Sequence, residues 1–191
     1  MDVQVREGET AHFDLDLSDE RPCVLHGRLS IDGKPASEWR ATLLPDSNGM
    51  AGSGLPSTVI DSEGRFEFST AEPGYRRVRF TPPTGAGSEL ELVLRLEVPR
   101  GDSHAERSIT TGRIEGHAPA GTPRLIVEGR CDLELTYSAA IQPGADGHYV
   151  LDGMPSGYLH IQAEPPANSG STEWLELHAI DLKAGQHMVL D

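Results

Sequence analysis

The stretch DSEGRFEFSTAEPGYRRVRFTPP, Asp61 to Pro83, returns 83 residues later as GADGHYVLDGMPSGYLHIQAEPP, Gly144 to Pro166. Gly64 falls on Gly147, Phe66 on Tyr149, Phe68 on Leu151, Gly74 on Gly157, Tyr75 on Tyr158, Val78 on Ile161, and Pro82 and Pro83 on Pro165 and Pro166, without a gap. A gapless internal match at one fixed spacing restricts the chain to two copies of a unit of about eighty to ninety residues, the size of one small sandwich. The match extends upstream, where GRL at Gly27 is read against GRI at Gly112, and downstream, where EVPRGD at Glu97 is read against DLKAGQ at Asp181. A third fragment stands at the front. QVREGE, Gln4 to Glu9, repeats the closing pattern and is followed by AHFDLDL, so residues 1–17 read either as the tail of a preceding unit or as an edge added to the first one. The expected division is therefore 1–21, 22–109 and 110–191. The two full units should join almost without a linker, because Ile109 to Gly112 carries no flexible Pro/Ser-rich tract.

The period of the apolar residues identifies the elements. ELELVLRLEV places Leu90, Leu92, Leu94, Leu96 and Val98 on one face and Glu89, Glu91, Val93, Arg95 and Glu97 on the other, the two-residue alternation of a half-buried strand. RFEF, RLIVEG and YLHIQAE are also short and bounded by Gly or Pro, and nothing reads as a long amphipathic helix. The acidic-Gly pairs at Glu63-Gly64 and Asp146-Gly147 suit tight turns, since Gly accepts a positive φ. The fold class expected is all-β: two tandem antiparallel β-sandwiches with seven or so short strands each.

Composition excludes several roles. Sixteen Lys and Arg against thirty Asp and Glu give a formal charge of −14, which repels nucleic acid and anionic membrane. No stretch approaches a membrane span, so membrane insertion is not expected, and MDVQVREGETAHFDLDL lacks the basic start and apolar run of a signal peptide. The two cysteines, Cys23 and Cys131, fit neither a disulfide framework nor a zinc site; they read as structural or free thiols or as a single bridge.

HGRLSIDGKPASEW, DSEGRFEFSTAEPGYRRVRF and VPRGD together resemble the carboxypeptidase regulatory-like domain, a transthyretin-like (prealbumin-like) β-sandwich. The family pattern of Val-x-Gly, Gly-x-Pro-Ala, Asp-x-x-Gly-x-Phe and Pro-Gly-x-Tyr falls here on Leu25 to Gly27, Gly33 to Ala36, Asp61 to Phe66 and Pro73 to Tyr75. The second copy keeps Gly112, Asp146-Gly147, Tyr149 and Gly157-Tyr158, but has HAPAGTP where Gly-x-Pro-Ala should stand. The resemblance covers residues 22–191. It implies a non-catalytic module within a larger multi-domain protein, an extracytoplasmic location, and neighbouring domains or a cell-surface protein or glycan as partners. No cofactor is implied.

Catalytic motifs fail on inspection. None of the eight His has Glu three residues later, as a metallocarboxypeptidase zinc site requires. GDSH at Gly101 aligns with the repeated turns at Gly8 and Gly185, so Ser103 and His104 read as a hairpin and not as a nucleophile block. No enzyme activity is expected. Four residues stand as candidate ligand contacts. Trp39 and Trp174 offer aromatic planes for stacking a sugar ring, with core or sheet-rim packing as the plainer reading. His160 and His178, with Glu164 and Glu176 near them, form a conceivable surface metal site, against which stands the plainer reading of a solvated sheet face. DLDLSDE, Asp14 to Glu20, reads as a charged edge that discourages sheet-to-sheet association.

Overall fold

A computed structural model of the chain describes residues 23–45, 54–71, 73–83, 89–165 and 173–190. The front segment 1–22, with both of its readings, lies outside the described residues. Those that are described form an all-β protein of fifteen strands. The strands are β1 (Cys23–Ile31), β2 (Lys34–Pro35), β3 (Arg40–Leu44), β4 (Ser57–Val59), β5 (Arg65–Ala71), β6 (Gly74–Thr81), β7 (Glu91–Val98) and β8 (Asp102–Ile109), then β9 (Thr111–His117), β10 (Leu125–Arg130), β11 (Leu135–Ile141), β12 (His148–Pro155), β13 (Gly157–Ala163), β14 (Leu175–Leu182) and β15 (His187–Leu190).

One pairing scheme occurs twice. In β1–β8 the first strand pairs antiparallel with β5 and parallel with β8, while β3 pairs with β4 and β6, and β6 with β7. In β9–β15 the first strand pairs antiparallel with β12 and parallel with β15, while β10 pairs with β11 and β13, and β13 with β14. The first and last strands of each half thus run side by side in one layer, and four strands form the other. The four-stranded layers do not stay separate. β7 pairs antiparallel with β11, Leu92 opposite Tyr137 and Leu94 opposite Leu135, which merges them into one eight-stranded sheet ordered β14-β13-β10-β11-β7-β6-β3-β4.

Packing follows from the alternation read in the sequence. Leu92, Leu94 and Val98 are buried while Arg95 and Glu97 face solvent. They join Leu25, Phe66, Val78 and Phe80 from the first half and Leu125, Val127, Leu151, Leu159 and Ile161 from the second in one buried cluster. Each such side chain contributes about 2 kcal/mol by leaving water. In three places an aromatic ring lies across a glycine of the neighbouring strand: Phe66 over Gly27, Tyr149 over Gly116, and Tyr137 over Gly129. A side-chain carbon on any of these glycines would overlap the ring, so the glycines are there to seat the aromatics.

This register changes one correspondence. Gly27 is opposite Phe66 and Gly116 is opposite Tyr149, so Gly27 has its counterpart in Gly116, not in Gly112. Gly112 instead sits opposite Met154 and against Leu182. The shared Gly-Arg string misleads because it is short, whereas the ring-on-glycine contact is what holds the strands in register.

The halves meet with one residue between strands. β8 ends at Ile109 and β9 begins at Thr111, whose backbone N–H and hydroxyl donate to the Asp32 carboxylate at 2.8 and 2.6 Å. Asp32 also takes a positive φ of 51° ahead of Gly33 at 75°, the left-handed pair that closes a tight hairpin between β1 and β2. Around the β7–β11 seam, Arg107 pairs with Asp132 at 3.6 Å and with Glu134, and Arg124 pairs with Glu89 at 3.0 Å.

The glycine of the turn before β12 and the one at the irregularity within β12 give a contrast that tests this packing. Gly147 has φ +86° and its missing side chain leaves room for the Ala118 carbonyl, whereas Gly153 has φ +69° and open space around it. Gly147→Ala should destabilise the protein by ~2 kcal/mol or more and Gly153→Ala by about 1, since only the first adds a backbone clash to left-handed strain. Urea midpoints of the two variants check this; equal losses would mean that the Ala118 contact does not constrain the turn.

Candidate functional site

Among the described residues most buried side chains are apolar, and the clusters of titratable side chains lie on the outward faces of the sheets. On the first half, β1 and β8 run parallel with His26 in register with His104, and their rings stack at 5.0 Å between centroids and 18° between planes. Glu67 of β5 lies 3.3 Å from His26 Nδ1. These residues line an open groove of about 560 Å³ together with Arg28 and Arg65, and Thr58 of β4 forms its side. The groove carries cations and carboxylates at close spacing and suits a polar ligand with several hydrogen-bonding groups.

The second half presents different residues on the equivalent face. Glu115 on β9 accepts from His148 of β12 at 3.1 Å through one carboxylate oxygen and is met by His187 of β15 at 3.3 Å on the other. Arg113 lies 3.5 Å away, and the His117 ring is 5.2 Å from that of His148. The hydrogen bond from His148 lowers the Glu115 pKa, with His187 and Arg113 acting in the same direction against a partial desolvation that raises it. Asp146 is lowered as well, chiefly because its carboxylate accepts the His148 backbone N–H at 3.0 Å. One carboxylate thus ties together all three strands of the β12-β9-β15 layer.

The sequence-derived candidates are scattered. Trp39 is half-buried against the core just before β3, and Trp174, 41% exposed, stands just before β14. These strands are six inter-strand steps apart in the eight-stranded sheet, about 29 Å at ~4.8 Å per step, so the two indoles do not share a site. His160 is 3.6 Å from Glu176 and packs edge-on against the exposed Tyr158. His178 is opposite Ile161, while Ala179 is opposite His160, so alternation sends the two imidazoles to opposite faces. Among the described residues no group of three or more His, Cys, Asp or Glu is placed to hold a metal ion.

Ser103 is buried and its hydroxyl donates to the Val24 carbonyl at 3.3 Å, while His104 stacks on His26, so the two are not paired as nucleophile and base. Cys23 and Cys131 are free thiols. Burial, with Asp132 adding to it, pushes the Cys131 thiol up to about 11, which keeps it protonated and unreactive at neutral pH. The His26–His104 stack and the Glu115 hub had escaped sequence reading. RIEGH places Arg113, Glu115 and His117 on one face by alternation, but their partners come from strands 33 and 72 residues further along.

No family model matches this sequence, and no curated protein matches it either. Among solved structures, the Bacillus anthracis TIE protein matches over 87% of this chain and 32% of its own, at 13% identity and a TM-score of 0.35. A streptococcal ancillary pilin matches over 90% and 62%, at 11% and 0.34. A minor pilin of Streptococcus agalactiae matches over 87% and 93%, at 8% and 0.37. This chain therefore spans less than two thirds of the first two proteins. At such identities and scores the matches carry no argument about its function.

The Glu115 hub yields a pH prediction. A carboxyl whose pKa is lowered on folding adds stability above its unfolded value of 4.5, and that stability is lost as pH falls through the lower folded value. The stability difference between the native chain and Glu115→Gln should be present above pH 4.5 and shrink as the pH is lowered below it, as read from denaturant midpoints. A difference that stays constant over that range would show that the carboxylate charge does not hold the three strands.

Proposed function

We propose that the chain is a non-catalytic structural and interaction module, two tandem sandwiches of the carboxypeptidase regulatory-like type spanning residues 22–109 and 110–191, within a larger multi-domain extracytoplasmic protein. The observation that carries this reading is the pairing scheme that recurs in the two halves, with β7 and β11 zipped together between them. A flexible tether would leave each sandwich to reorient. Here the junction at Asp32 and Thr111, the seam and the ion pairs of Arg107 and Arg124 hold one geometry, as a spacer that presents its outer faces at a set distance requires. The engagement of Ser103 and the thiol chemistry of Cys131 agree with a non-catalytic role.

A second reading, a module that binds a glycan or peptide, is favoured by the groove beside the stacked His26 and His104. Trp174, exposed just before β14, is a separate aromatic candidate on that reading.

Three measurements test these readings, and the last separates them. Small-angle scattering of the whole chain should fit one rigid particle, and peptidase and esterase assays, with and without zinc, should show no turnover. Turnover abolished by Ser103→Ala or His104→Ala would overturn the non-catalytic assignment. On a glycan array the spacer reading expects no specific signal. A signal lost in His26→Ala or in Trp174→Ala, with the melting temperature unchanged, would establish the binding reading and say which surface is responsible.

A further inference from the structure

We propose that the outer edge of β14 is a docking edge for a further sandwich of the same build, which adds its β11-type strand there as β11 adds to β7. This inference rests on the tandem-unit reading above.

The pairing scheme makes β14 the counterpart of β7. Each pairs antiparallel with the strand before it, and each leads through a left-handed glycine, Gly101 at φ 86° and Gly185 at φ 68°, into a strand that lies parallel to the first of its half. On β7 the second edge is filled by β11. On β14, an end strand of the eight-stranded sheet, no strand occupies the second edge among the described residues. Unpaired N–H and C=O groups along such an edge form a template for another strand.

Side-chain exposure agrees with a missing neighbour. Leu92 is opposite Phe80, and Leu175 is opposite Ala163, at matching places in the repeat. Leu92 also has Tyr137 opposite it on β11 and is fully buried. Leu175 has no such partner and is 52% exposed, next to Trp174 at 41%. Leu175 thus stands in water at the place where the first half buries its leucine under an incoming tyrosine. The occupant that suits it is a strand whose alternate positions are apolar and aromatic, as Leu135, Tyr137 and Ala139 are on β11. The β11 strand of this chain is already paired on both sides, with β10 and β7, so the β11-type strand for this edge is that of a further unit.

The test extends the whole chain with a second copy of residues 110–191, joined after Asp191 by a short linker, and follows amide hydrogen exchange at residues 175–182. Docking predicts that these amides exchange at least about tenfold more slowly than in the parent chain. Leu175→Lys, at an exposed position that leaves the parent's melting temperature unchanged, should restore the faster exchange. If the added unit folds but β14 exchanges as in the parent, the docking edge is overturned while the tandem-unit reading stands. An added unit that does not fold would overturn that reading and the docking edge with it. Slower exchange that survives Leu175→Lys would assign the protection to another contact and overturn the proposal too.

Discussion

The backbone ladder between β7 and β11 is the interaction on which the rest of the structure depends. Two four-stranded layers, each with an open edge, become one sheet when these edges pair. Because side chains alternate along a strand, the ladder also dictates packing: with Leu92 opposite Tyr137 and Leu94 opposite Leu135, all four point into the buried side. A slip of β11 by one residue would turn Leu135 and Tyr137 to solvent and bring Thr136 and Ser138 inward. The Arg107 and Arg124 ion pairs and the Asp32 junction are partly exposed and individually weak, so they reinforce an orientation that the ladder has already set.

Within each half, the aromatic-on-glycine contacts do comparable work. A ring laid over a glycine packs against bare backbone and admits one register only, which lets the second half diverge elsewhere without losing its strand order. HAPAGTP replaces the Gly-x-Pro-Ala stretch, yet β9 still pairs with β12 and β15, with Tyr149 over Gly116. The outer faces carry no such constraint. On equivalent layers one half places a His stack beside a polar groove and the other a carboxylate bridging two His, so similar frames support different surface chemistry.

The sequence by itself determined the all-β class of the described residues, the strands β5, β7, β10 and β13 and the core-facing positions of β7, because a two-residue period and turn glycines are properties of neighbouring residues. What it did not determine is pairing between strands distant in sequence, and every surprise traces to that. Gly27 was set against Gly112 until the rings chose Gly116, and His160 and His178 were free to face one another until a strand register put Ile161 opposite His178. The Glu115 hub joins strands 33 and 72 residues apart, and the seam joins Leu94 to Leu135. Such contacts depend on backbone hydrogen bonds that any residue but proline can make, so they leave almost no trace in side-chain identity. Only the tertiary structure, where ladders and rings must close together around one core, decides them.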